Sequence, residues 1–109
     1  MSSIQSARDD RVVDLEGRTV MPGLSSCHFH TTFENVSPVS TPSLGLQSPP
    51  AYLALLAAKN VGIALDCGVS GIVCSSTPYA IDVSLKQAIE EGWVRGPRMA
   101  AGSSELMTS

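Results

Sequence analysis

No run of apolar residues in this 109-residue chain approaches the roughly 18 that a membrane-spanning helix needs. The polar start, "MSSIQSARDDRVVDLEG", has no apolar core of the kind a signal peptide carries. A cytoplasmic protein with no membrane partner is therefore expected. Basic residues are few: seven Lys and Arg, scattered, against ten Asp and Glu. A net charge of −3 without a basic patch argues against a nucleic-acid partner. The three cysteines, Cys27, Cys67 and Cys74, are odd in number and form no CxxC pair, which fits a cytosolic chain. Cys67 and Cys74 are expected as buried, reduced thiols. There is no GxGxxG, no Walker pattern and no GxSxG. Histidine is the scarcest chemical resource of all. There are two, His28 and His30, and none follows.

The chain does hold a great deal of apolar sequence, 43%, with only 16% charged, which suits a single small globular domain. Two short runs, Val12–Leu15 and Arg18–Met21, flank Glu16-Gly17 and predict a β-hairpin. Pro22-Gly23 then breaks the pattern, and residues 24–30 are expected as a strand. Residues 31–50 carry Pro38, Pro42, Pro49 and Pro50 among many Ser and Thr and read as a long loop.

"AYLALLAAKNVGIALDCG" is the strongest helix signal. Leu53, Leu56, Ala57, Asn60 and Ala64 recur at helical spacing, Pro50 suits the first turn, and Gly68 suits the C-terminal end. The helix is apolar nearly all round and should pack on more than one side. "VSGIVCSS" follows as a buried parallel strand. A second helix is expected over "DVSLKQAIEEG", capped by Asp82 and ended by Gly92, and "RMAAG" opens a third strand. Alternating strands and helices imply a parallel α/β sheet. Three such strands leave both edges unpaired, which points to part of a larger fold.

In a strand, residues i and i+2 project from one face. His28 and His30 should therefore point together, with Phe29 on the other side. Two neutral imidazoles converging at the carboxyl end of a parallel strand suit a divalent metal such as zinc. Spacing alone leaves open the alternative of two surface or hydrogen-bonded histidines.

"GRTVMPGLSSCHFHTTF" resembles the opening of the amidohydrolase superfamily: an apolar strand, Pro-Gly-[Leu/Phe]-Ile-Asp, one residue, then His-x-His. Pro22, Gly23, Leu24, His28 and His30 match in register. "ALDCGVSGIVCSS" is similar to the family's second strand. "LKQAIEEGWVRGPRMAAGSSELMTS" is similar to the helix end and Gly-Pro-Arg that lead to its third, in the imidazolonepropionase-like and prolidase-like branch. The resemblance covers about residues 11–109. One departure matters: Ser26 stands where the family often has Asp. That loss weakens support around the first His without removing a ligand.

The resemblance implies a (β/α)₈ barrel with a small β-sandwich, one or two divalent metals, most simply zinc, and metal-assisted hydrolysis of a C–N bond in an amide, cyclic amide or dipeptide-like small molecule. His28 and His30 would be metal ligands from the first strand. Residues 1–21 would be an arm and sandwich remnant, and 22–109 the N-terminal part of the barrel. The family's other ligands are a carboxylated Lys or a Glu, two further His and an Asp. They come from later strands and have no counterpart here. A barrel of this type needs about 250 residues. The resemblance therefore implies an N-terminal fragment, inactive alone. Two other readings stay open: a non-catalytic remnant, and a small α/β binding module whose histidines are incidental. Catalytic residues, substrate and oligomeric state are not legible. Ser75, Ser76 and Thr77 follow the second strand and could touch substrate, though turn chemistry explains them as well. Asp66 reads as a capping or solvent-facing carboxylate, Arg98 as a solvated charge or a carboxylate's partner, and Trp93 as a packing residue.

Overall fold

A computed structural model describes residues 9–33 and 48–104. The order is β1 (Leu24–Phe29), α1 (Pro50–Asp66), β2 (Val69–Cys74), a single 3₁₀ turn (Pro78–Ala80), α2 (Ile81–Glu90) and β3 (Arg98–Ala100). The fold is α/β. The strands form one parallel sheet in the order β1-β2-β3. Among the described residues no helix is long and apolar enough to cross a membrane.

Helix α1 begins with Pro50 in its first turn, where a missing N–H costs nothing. Just past its cap, Gly68 takes a left-handed φ of +86° and its N–H donates to the Leu65 carbonyl. The Gly68 carbonyl then accepts from Leu24 N, so the helix end is tied to the start of β1. Helix α2 closes with the paired hydrogen bonds of a Schellman turn: Gly92 N to Ile89 O at 3.0 Å and Trp93 N to Ala88 O at 2.8 Å.

Both helices contribute to one core. Leu53, Ala57 and Val61 of α1 and Ile81 and Leu85 of α2 meet Ile72 and Cys74 of β2 and Met99 of β3. Phe29, Val69 and Ile89 pack at its margin. Within β2, Ile72 and Cys74 are each 3% exposed, while Val73 between them is 45% exposed. One face of the sheet is thus covered and the other is open.

Several expectations need correction. Residues 9–23 hold no strand. Only the hairpin's turn forms. Glu16 and Gly17 both take positive φ, Arg18 N donates to Leu15 O, and Asp14 accepts from Glu16 N. The flanking Val12, Val13, Val20 and Met21 are exposed, and a two-stranded ribbon with nothing to pack against is marginal. Asp82 does not cap α2. Left-handed Ala80 occupies that position, and Asp82 is wholly buried with Oδ2 accepting from Gly102 N and Ser103 N, both at 2.8 Å. Cys67 is exposed, because it caps α1 on the solvent side; Cys74 is buried as expected. Trp93, carried outward by the Schellman turn, is 79% exposed. Helix α1 packs on one side only, leaving Tyr52, Leu55 and Ile63 in solvent. Most of the 31–50 loop, residues 34–47, lies outside the described residues.

Candidate functional site

The carboxyl ends of β1 and β2 lie side by side. Phe29 pairs with Cys74, and Ser75 N donates to Phe29 O at 2.9 Å. The register is irregular just before this point: from Ser26 to Phe29 β1 advances three residues while β2 advances two, Ile72 to Cys74. An extra residue in one strand bends it and redirects side chains. Phe29 turns into the core margin, and the rings of His28 and His30, one residue to either side of it, converge.

The two imidazoles converge. Their Nε2 atoms are 3.0 Å apart, with ring centroids 4.8 Å apart and planes at 78°. Each ring has its own support. His28 Nδ1 lies 2.8 Å from Ser75 Oγ. His30 stacks on Phe33, centroids 4.2 Å apart and planes within 4°. Phe33 belongs to a turn that Asn60 of α1 holds in place, its amide donating to the carbonyls of Thr31 (2.8 Å) and Phe33 (2.9 Å). A crevice of about 290 Å³ opens beside the stack, lined by Phe29, His30, Phe33, Asn60, Ile63 and Ala64. His30 Nδ1 is buried without a hydrogen-bond partner.

Can these residues hold a metal? Zinc–imidazole bonds are about 2.0–2.1 Å, so two nitrogens on one tetrahedral ion lie roughly 3.3–3.4 Å apart. The Nε2 pair, at 3.0 Å, is close to that separation and needs only a small ring adjustment to reach it. The residues therefore fit as two ligands of an ion. No group of three or more His, Cys, Asp or Glu that could hold a metal occurs among the described residues.

The remaining candidates sort themselves. Ser26 Oγ donates to the His28 carbonyl at 3.0 Å, so it braces the bend and not the ring. Cys27 is exposed. Burial, and then the nearby Asp82 charge, push the Cys74 thiol up to about 11, so it is a protonated packing group at neutral pH. Asp66 pairs with Arg95, and that hydrogen bond lowers its carboxyl below the ordinary range. Thr77 is buried and bonds Ser103 O through its N–H, a structural role. Ser75 was legible only as a mouth residue. Its partnership with His28 depends on a register that spacing does not reveal. Asn60 did leave a signal, as a lone amide on an Ala- and Leu-rich helix face.

Comparison with solved structures bears on the lineage. A crystal structure of an amidohydrolase superposes with a TM-score of 0.71 and 25% identity, covering 91% of this chain. A Xaa-Pro dipeptidase, solved with methionine in its active site, gives 0.78 and 26% over 94% of the chain. The likeness is to the amidohydrolase superfamily. An uncharacterized protein gives 0.68 and 29% over 86%. The dipeptidase accords with the prolidase-like branch read from Gly96-Pro97-Arg98. The chain spans 22%, 25% and 22% of the lengths of these three proteins, so its match is to one segment of each. No family model matches the chain, and no curated protein does.

Proposed function

We propose that this chain is the opening segment of a metal-dependent amidohydrolase barrel, contributing its first two βα units and the start of the third strand. His28 and His30 are its share of the metal ligands. The observation that carries this reading is the 3.0 Å convergence of two Nε2 atoms at the carboxyl end of the first parallel strand, the end at which barrel enzymes place their chemistry. A bound divalent ion, zinc by ligand preference, would supply activated water and polarise the scissile group of an amide, cyclic amide or dipeptide-like small molecule. The chain's own contribution is to fix the two imidazoles through Ser75 and Phe33. The crevice beside His30 forms part of the substrate rim. The free thiols suit a reducing cytoplasm.

A catalytic zinc site usually keeps three protein ligands and an open position. The 109 residues alone should therefore turn over none of a panel of Xaa-Pro dipeptides and cyclic amides with zinc added. Clear turnover abolished by His28→Ala would contradict the proposed incompleteness. The reading frame beyond codon 109 separates an enzyme segment from a non-catalytic remnant. Later His and Asp ligands favour the first, and an immediate stop favours the second.

A further inference from the structure

The two histidines are not equivalent. His28 has a polar partner on Nδ1, Ser75 Oγ at 2.8 Å. His30 has none: its Nδ1 is buried and unpartnered. Between them lies a single 3.0 Å Nε2···Nε2 contact, which needs one donor and one acceptor.

Two proton arrangements satisfy these contacts. In one, Ser75 donates to His28 Nδ1, His28 Nε2–H donates to His30 Nε2, and His30 is left with a buried N–H that bonds nothing. In the other, His28 Nδ1–H donates to Ser75 Oγ, His30 Nε2–H donates to His28 Nε2, and His30 is left with a buried lone pair. Orphaned buried donors are rarer than under-satisfied acceptors. The second arrangement is the less costly.

We propose that Ser75 is a positioning residue that holds His28 as the Nδ1–H tautomer, with the Nε2 lone pair turned toward His30. Ser75 stands on the neighbouring strand's end and supplies the acceptor that Ser26, bonded to backbone, does not. His28 is then ready to donate to an ion as it stands, and His30 must first move its proton to Nδ1. This deepens the metal reading but does not depend on it, because the tautomer belongs to the chain without metal.

The test is nitrogen-15 NMR of the two imidazoles in the full chain at about pH 8, where an ordinary histidine is neutral. His28 should show a protonated Nδ1 and a bare Nε2. Ser75→Ala should mix the tautomers, and Ser75→Thr should restore the single form. Where the alanine variant loses its fold, Ser75→Cys replaces it, keeping size with a weaker acceptor. A zinc titration reads the consequence: affinity about tenfold or more weaker in Ser75→Ala, recovered in Ser75→Thr. A His28 protonated on Nε2 in the unaltered chain overturns the proposal, as does a tautomer that Ser75→Ala leaves unchanged. Absence of zinc binding in a chain whose His28 tautomer is held by Ser75 overturns the metal reading and leaves Ser75's role standing.

Discussion

The two faces of the sheet differ sharply, although they are built from the same strands. Toward the helices, Ile72, Cys74 and Met99 are sealed by α1 and α2. On the opposite face Val73 stands in solvent, and His28 and Ser75 meet at the rim. Among the described residues β1 and β3 pair only with β2, so both are edges. The covered face is a helix-on-sheet layer. Among the described residues no helix covers the open face, and His28 and Ser75 stand at its rim. In a closed barrel that face would look inward, where side chains from alternate strands fill the interior.

Mutation can break this contrast. Leu53→Ala, on the sealed side, should cost about 2–5 kcal/mol of unfolding free energy, read by urea denaturation. Asp82→Ala should cost about 1–3 kcal/mol, because it leaves the Gly102 and Ser103 amides without their acceptor. The loop after β3 should then lose amide-exchange protection before the helices do. Val73→Lys, on the open face, should stay within about 0.5 kcal/mol and reduce self-association seen by light scattering. A large loss of stability at Val73 would mean that this face is packed after all.

Two pH effects are smaller. The Cys74 thiol is raised in the folded chain, so its contribution to stability is whole below the unfolded value near 9 and fades as pH rises through about 11. Cys74→Ala should flatten that decline in a pH series of melting curves. Asp66 is depressed by Arg95, so its contribution is present above the ordinary carboxylate value of 3.8 and lost as pH falls below it. Both partners are well exposed, and Arg95→Ala should barely move the midpoint at neutral pH.

The elements that bury a face were legible in the sequence, and those that lean on distant residues were not. Leu53, Ala57 and Ala64 announced α1 through their period, and the β-branched run at 69–74 announced β2. The hairpin failed because Val12 and Val20 have strand propensity but no surface to cover. Asp82 was misplaced because a good cap residue also makes a good buried acceptor, and the Gly102 amide it serves lies 20 residues away. Gly102 itself has a reason visible only in three dimensions, since any side chain there would collide with the Cys74 carbonyl. At the site, period-two alternation brought His28 and His30 together in anticipation, while the irregular register that aims them and the Ser75 contact needed the paired strand.

Zinc affinity of the intact 109-residue chain, compared by calorimetry with His28→Ala, His30→Ala and the double variant, tests the central claim most directly. The account predicts one weak site, lost in full when either histidine is removed, with the double variant no worse than the singles. Equal residual binding in all four proteins would place the metal elsewhere and contradict it.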